Sequence, residues 1–120
     1  MSIRIDQALS VHTRALDLRM QRSEVLAANL ANEDTPGFQA RDIDFAAEMR
    51  RVAQEAAQQG LDSQRPQLLY RVPNQPSQDG NTVELAVEQA EFSRNAMDFQ
   101  ASLTFLTMQV RGLKQAIEGR

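Results

Sequence analysis

Cysteine and tryptophan are absent from this chain of 120 residues, and only six of its residues are aromatic. Without cysteine the protein can form neither a disulfide framework nor a thiolate metal site. Its apolar runs are only a few residues long, far short of the roughly 20 that a membrane-spanning helix needs. The amino terminus also lacks the apolar core and cleavage site of a secretory signal peptide. We therefore expect a protein of the cytoplasm, or one exported without a cleaved signal.

A marked charge of one sign is missing as well. The segments 1–40, 41–82 and 83–120 carry four, five and four cationic residues against five, six and five acidic ones, so each has a net charge of −1. No basic face or tail stands out, which argues against nucleic acid as the main partner.

Residues with catalytic chemistry are few. His12 is the only histidine, and a single histidine on a helix surface is most often simply solvated. The carboxylates of Asp42, Asp44 and Glu48 have a spacing that can suit a hard cation such as Mg²⁺, but helix capping with a solvated acid explains it more simply. The glycine at 37 follows a predicted helix, which is the wrong side for holding phosphate. We predict no enzyme, no cofactor, no metal and no small-molecule substrate.

The last third of the chain has the strongest periodic pattern. Its apolar residues alternate at spacings of three and four, the pattern of a coiled-coil seam, and predict a helix over about 83–117 with Asn81 or Thr82 as its cap. Met97, Phe105 and Met108 lie off the seam, which favours packing against neighbouring molecules over a simple hairpin. The predicted coiled-coil seam consists of Leu85, Phe92, Ala96, Phe99, Leu103, Leu106, Val110, Leu113 and Ile117, with Gln89 as its one polar position.

The first third repeats this spacing with smaller and partly polar residues, and predicts a second long helix over about 5–32. Two asparagines, Asn29 and Asn32, lie on its stripe. They can either cap the end of the helix or fix the register between helices, since polar residues on a seam have that effect. The sequence leaves both interpretations open.

Between these helices the chain changes character twice. Thr35-Pro36-Gly37-Phe38 fits a type II turn, in which glycine supplies the positive φ. A short helix over about 45–58, capped by Asp42 or Asp44, follows, and then a loop-rich segment whose apolar stretch 68–72 suits a short strand or a docking segment. The predicted fold is all-α, with the two long terminal helices paired as an antiparallel coiled coil. The predicted divisions are an N-terminal helix (1–34), a turn and short helix (35–58), a loop-rich segment (59–82) and a C-terminal helix (83–120).

Residues 28–38, ANLANEDTPGF, resemble the N-terminal signature of bacterial flagellar rod, hook and hook-associated axial proteins, whose pattern is Ala-Asn-x-Ala-Asn-x-x-Thr-x-Gly-(Phe/Tyr). The segments 40–45 (ARDIDF), 79–85 (DGNTVEL) and 99–106 (FQASLTFL), together with Asn95, resemble the proximal rod members of that family. The chain is too short for the large central domain of distal rod or hook proteins, which supports a proximal rod member.

The resemblance implies a structural subunit of the flagellar basal-body rod, which stacks helically into a drive shaft across the periplasm. The implied partners are copies of itself, other rod proteins, the MS-ring/export-gate adaptor and the flagellar type III export apparatus. The implied assembly motif consists of Asn29, Asn32, Thr35, Pro36, Gly37 and Phe38. A cytoplasmic helical adaptor or secretion chaperone is the alternative, because an acidic chain with paired helices fits that function too.

Overall fold

Two long helices run along the length of this elongated molecule, which measures 63 × 30 × 18 Å in a computed structural model that describes residues 5–57 and 66–119. A short helix and a two-stranded sheet lie against them. The elements in chain order are α1 (Ile5–Ala31), β1 (Arg41–Ile43), α2 (Phe45–Ala57), β2 (Leu68–Tyr70) and α3 (Leu85–Glu118). The predicted fold class, with two long helices packed together and a short helix between them, is confirmed.

α1 and α3 pack in opposite directions. The ring of His12 lies 5.2 Å from that of Phe105, between ring centroids. Nearer the carboxyl end of α1, Arg19 pairs with Asp98 at 3.4 Å, so the contacts on α3 move backward as those on α1 move forward. The histidine is half-buried against this ring, so the expectation that it is merely solvated is wrong.

The interior contains as many polar as apolar side chains. Where side chains are described, in 9–55 and 66–119, five apolar residues are buried: Leu18, Leu26, Ala40, Ile43 and Val52. The buried polar residues in the same ranges are Asn29, Glu48, Asn81, Glu88 and Asn95. A buried polar group without a hydrogen bond costs several kilocalories per mole, roughly 1–3 on the scale of protein mutations. The fold therefore depends on how these five side chains are bonded.

The two strands form an antiparallel pair that the sequence predicted only in part. β2 coincides with the apolar stretch expected as a strand, and it pairs with β1 in the register Arg41↔Tyr70, Asp42↔Leu69 and Ile43↔Leu68. β1 was not predicted, because its three residues are too few for an alternating pattern. The part of the predicted loop between 59 and 65 lies outside the described residues.

The sequence predicted caps at the amino ends of α2 and α3. Asp44 caps α2 as expected, since its carboxylate accepts a hydrogen bond from the backbone N–H of Ala47 at 3.2 Å. The predicted cap of α3 by Asn81 or Thr82 is wrong: the N-cap position is Glu84, whose side chain makes no capping bond. Among the described residues, no helix combines the length and the apolar character that crossing a membrane requires.

Replacing Leu26 by alanine is expected to lower the free energy of unfolding by about 3 kcal/mol, because the side chain is fully buried and its loss leaves a cavity. The matched control is Leu69→Ala, since Leu69 is 44% exposed and its truncation should cost less than about 1 kcal/mol. Urea unfolding followed by helical circular dichroism measures both. Equal losses in the two variants would contradict the assignment of Leu26 to the core.

Candidate assembly site

The carboxyl end of α1 is shaped by the predicted motif. The side-chain amide of Asn32 donates to the carbonyl of Ala28 at 2.7 Å, and its oxygen accepts a hydrogen bond from the hydroxyl of Thr35 at 3.0 Å. The N–H of Phe38 then bonds the carbonyl of Thr35 at 3.2 Å, and Gly37 has φ +75°. These are the hydrogen bond and the left-handed glycine of the predicted type II turn.

Asn81, from the distant segment 79–85, closes the end of α1. Its side-chain N–H₂ group lies within hydrogen-bond distance of three carbonyl oxygens, those of Asn32 (2.9 Å), Glu33 (2.9 Å) and Thr35 (2.7 Å). Its own oxygen accepts from the N–H of Val83 at 2.7 Å. The carbonyl of Asn32 lies at the end of α1, and those of Glu33 and Thr35 belong to the turn that follows it. Asn81 thus supplies partners for carbonyls that have none within the helix.

Backbone bonds continue this junction between the two segments. The N–H of Gly37 donates to the carbonyl of Asp79 at 2.8 Å, and the N–H of Thr82 donates to the carbonyl of Phe38 at 2.9 Å. The hydroxyl of Thr82 accepts from the N–H of Ala40 at 2.8 Å. The two stretches of sequence that carried the family resemblance are therefore bonded directly to each other.

Two glycines meet at the crossing. Gly37 and Gly80 have φ values of +75° and +76°, which cost other L-residues roughly 1–2 kcal/mol. A Cβ atom added to Gly80 would lie 3.7 Å from the Cα of Gly37, an ordinary contact distance. Backbone conformation, not crowding, is therefore the reason for glycine at both positions.

Next to this junction lies a charge cluster, formed by Arg22, Asp42, Arg71, Glu88 and Glu91. The guanidinium of Arg22 forms two bonds with the carboxylate of Asp42, at 2.9 and 3.0 Å, and a third with Glu91 at 2.8 Å. Arg71 bonds Asp42 at 2.8 Å and Glu88 at 2.7 Å. Since these residues come from α1, β1, the chain after β2, and α3, the cluster joins four parts of the protein.

The cluster shifts the pKa values of its members. Burial alone would raise the pKa of Asp42, but hydrogen bonds from Arg22 and the backbone of Ile43, with the charges of Arg22 and Arg71, hold that pKa below its ordinary value. The hydrogen bond to Asp42 raises the pKa of Arg22, against the opposing effect of burial. Both groups are therefore held in their charged forms.

Asn29 connects the charge cluster to the backbone of β1. Its side-chain N–H₂ group donates to Glu88 at 2.9 Å and to the carbonyl of Arg41 at 2.6 Å, while its oxygen accepts from the N–H of Arg41 at 3.1 Å. Each of the two interpretations that the sequence left open therefore applies to one of the two asparagines. Asn32 caps the helix end, and Asn29 fixes the position of α1 relative to α3 and β1.

A second buried amide, on α3, donates hydrogen bonds to α1. Asn95 is fully buried, and its side-chain N–H₂ group donates to the carbonyl of Arg19 and to the hydroxyl of Ser23, each at 2.8 Å. It lies seven residues, about two turns, from Glu88. The face of α3 that meets α1 is therefore marked by polar residues at helical spacing.

The carboxylates considered as a metal site are each engaged elsewhere. Asp42 belongs to the charge cluster and Asp44 caps α2. Glu48 bonds the guanidinium of Arg51 at 2.6 Å and accepts from the N–H of Gln67 at 3.1 Å. Within the ranges that the structure describes, no group of three or more acidic or histidine side chains is placed to hold a metal ion.

The predicted seam is mostly not the face that α1 covers. Three of its members are half-buried: Phe99, Leu106 and Leu113. Six are exposed in the single chain: Leu85, Phe92, Ala96, Leu103, Val110 and Ile117. The off-seam residues Met97, Phe105 and Met108 are exposed too, as predicted. An exposed apolar stripe of this length is typical of a surface that meets another protein, and its use in assembly stays a prediction.

The residues that sequence reasoning missed are those of the charge cluster and Asn81 as the cap of α1. The cluster's members are widely separated in sequence, so no local pattern connects them. One signal was available, since Arg22 and Asn29 interrupt the apolar stripe of α1 at core-facing positions. Polar residues at such positions require a buried partner.

Comparison with known proteins agrees with this architecture. A family model described as "Flagella basal body rod protein" matches residues 9–39, which contain most of α1 and the whole turn. Fold, signature and match thus define the class as that of flagellar rod proteins.

Similar proteins point to one family within the class of flagellar rod proteins. The chain is 43% identical to the flagellar basal body rod protein FlgB of Salmonella typhimurium, with 97% of this chain and 96% of the relative aligned. It is 42% identical to FlgB of Escherichia coli, with 96% of each chain aligned, and 43% identical to that of Cereibacter sphaeroides, with 92% and 94% aligned. The chain belongs to the FlgB family of flagellar basal body rod proteins. These relatives do not support the alternative of a cytoplasmic adaptor or secretion chaperone.

Replacing Asn81 by aspartate keeps the shape of the side chain but removes its hydrogen-bond donors. A carboxylate would then face the carbonyls of Asn32, Glu33 and Thr35, so the free energy of unfolding is expected to fall by about 1–3 kcal/mol. Hydrogen exchange should accelerate at the end of α1. Gln78→Glu makes the same chemical change at an exposed position three residues away and should alter neither quantity. Unchanged exchange in Asn81→Asp would show that the cap is dispensable.

Acid should weaken the protein through Asp42. Because its pKa is lower in the folded chain than in the unfolded one, its contribution is complete above the unfolded value of roughly 4 and disappears as the pH falls through the folded value. Urea unfolding measured from about pH 3 to pH 7 should therefore show a loss of stability that is smaller in Asp42→Asn. Asp34→Asn, at an exposed position, should keep the slope of the parent. If Asp42→Asn kept it as well, the pairing would not be the cause.

Proposed function

We propose that the protein is a structural subunit of the flagellar basal-body rod, stacked with other subunits into the shaft that transmits torque. The observation that carries this proposal is the junction between the signature turn at residues 32–38 and the segment 79–85. Its bonds involve the residues by which the chain resembles rod proteins, and family membership supports the same function. The bonds of this junction hold the carboxyl end of α1 against the segment that leads into α3.

Torque transmission requires contacts that resist sliding. Within the chain, the charge cluster and Asn95 hold α1 and α3 at one register. Between chains, the exposed stripe of α3 offers apolar surface that burial in an assembly would stabilise by about 25 cal/mol per Å². We infer that the polar contacts define the subunit and that the apolar seam residues join subunits.

The finer details follow the family resemblance. We infer a place at the proximal end of the rod, contacts with other rod proteins and with the MS-ring/export-gate adaptor, and delivery by the flagellar type III apparatus without a cleaved signal. The role is structural and not catalytic, which is supported by the candidate acids Asp42, Asp44 and Glu48 each making a structural bond. We retain the division into 1–34, 35–58, 59–82 and 83–120 as a proposal about which parts act separately in assembly.

The direct test is genetic and biochemical. Deleting the gene in the organism that encodes the protein should abolish swimming. A tagged copy should restore swimming and should purify with isolated basal bodies. A motile deletion strain, or basal bodies without the tagged chain, would overturn the proposal.

Leu103→Asp tests the seam separately. Leu103 is 38% exposed in the single chain, so the variant should keep its helical circular dichroism, but a carboxylate buried in the assembly without a partner should prevent incorporation into basal bodies. The matched control is Ala101→Asp, which places the same charge two residues away, about 200° around the helix. Normal swimming in the Leu103 variant would remove Leu103 from the assembly surface.

A further inference from the structure

The carboxyl-terminal half of α3 has an unusual charge pattern. Between Asp98 and Glu118 it contains no acidic residue, and its only charges there are Arg111 and Lys114. These two cations line a groove of about 390 Å³ whose other lining residues are Leu106, Thr107 and Val110. We call this surface the basic face of α3.

A second groove lies at the opposite end of the molecule, between α1 and β2. It consists of two adjoining cavities of about 480 and 320 Å³, and both are lined by Glu24, Val25 and Leu68. Glu24 is exposed and makes no hydrogen bond or ion pair with the part of the chain that the structure describes. Among the described lining residues, Arg41 is the other charged one, and its guanidinium lies over the ring of Tyr70 at 5.5 Å. We call this surface the α1–β2 groove.

The two surfaces cannot meet within one chain. Arg22, close to the α1–β2 groove, is bonded to Glu91 of α3. Arg111 lies twenty residues further along α3, which is about 30 Å at the rise of an α-helix. If the basic face of α3 fills the α1–β2 groove, the two surfaces must therefore belong to different molecules.

We propose that the basic face of α3 docks in the α1–β2 groove of a second copy of this chain. The apolar side chains Leu106 and Val110 would cover Val25 and Leu68. The cations Arg111 and Lys114 would approach Glu24. Within the described residues both charged sets are unpaired in the single chain, so the contact breaks no ion pair among those residues. Exposed ion pairs contribute little affinity, and their effect here is to select the orientation.

The contact joins two different surfaces, so it is heterologous, and repetition of such a contact produces an open chain of subunits wherever the rotation between neighbours does not close a ring. The inference thus rests on the proposed function and deepens it by naming a partner and the faces that meet. An isologous dimer, in which each copy fills the groove of the other, would be closed and unable to grow.

The absence of cysteine allows a direct test. One tagged copy carries Ala28→Cys in the α1–β2 groove and a second carries Thr107→Cys on the basic face, so the three charges stay in place. Both are expressed in cells without the natural copy, and isolated basal bodies are treated with a short bismaleimide. We expect a cross-linked pair containing both tags, with a yield at least tenfold above that of the control pair Ala28→Cys with Ala116→Cys. Ala116 is exposed and nine residues from Thr107, on the opposite side of the helix.

A chain that carries both Ala28→Cys and Thr107→Cys distinguishes the head-to-tail contact from the isologous dimer. The head-to-tail contact predicts a ladder of dimers, trimers and larger species. Dimers alone, or a yield equal to that of the control pair, would overturn the inference. If basal bodies contain the protein without this cross-link, the inference fails and the rod function stands; if the protein is missing from motile cells' basal bodies, the rod function fails.

Charge reversal gives an independent readout. Glu24→Lys should reduce the cross-linked yield about tenfold, and combining it with Arg111→Glu and Lys114→Glu should restore that yield. An additional loss in the combined variant, with helical circular dichroism unchanged, would contradict the pairing of these charges.

Discussion

The carboxylate of Glu88 lies between α1 and α3 with none of its side chain exposed to solvent. A charge in that position is stable only if neighbouring groups replace the water it has lost. One oxygen accepts from Arg71, which follows β2, and the other accepts from Asn29 on α1. Three separate parts of the chain must therefore be in place before this one residue of α3 can be buried. Removing Arg71 would leave an uncompensated charge in the interface, which is far more costly than losing one partner of an exposed pair. Removing Asn29 would leave one buried carboxylate oxygen without its hydrogen bond.

This requirement gives the helix pair its single alignment. Two long helices joined only by apolar residues at regular spacing can shift by a turn, about 5.4 Å, and recover most of their contacts. A shift of one turn would separate Glu88 from Asn29 and Asn95 from Ser23, and would so break both bonds. Polar residues in such an interface lower its stability but specify a single alignment of the two helices. It also leaves the apolar stripe of α3 free for other surfaces.

The sequence alone was sufficient for the features whose cause is local. The periodicity that predicted the two long helices, the Pro36-Gly37 turn and the capping of α2 by Asp44 each depend on residues a few positions apart. The charge cluster is different, because Arg22, Asp42 and Arg71 have no common motif and are brought together only by the fold. Periodicity also did not identify which face of α3 meets α1, since the covered face is marked by Glu88 and Asn95 while six of the nine regular apolar residues are exposed.

The cap that Asn81 places on α1 has a consequence for the order in which the protein can be completed. The amide and the last carbonyl that it bonds are 46 residues apart in sequence. A chain that emerges amino end first, from a ribosome or through a narrow pore, has all of α1 available long before the residue that closes it. Glu88, which holds the other side of the same helix, arrives later still. Until about two-thirds of the chain has emerged, α1 can bond Arg41 and Asp42 but lacks Asn81 and the whole of α3, and a helix with few tertiary contacts is only marginally stable in water. The end of α1 therefore receives its last hydrogen bonds only when the last third of the chain is available.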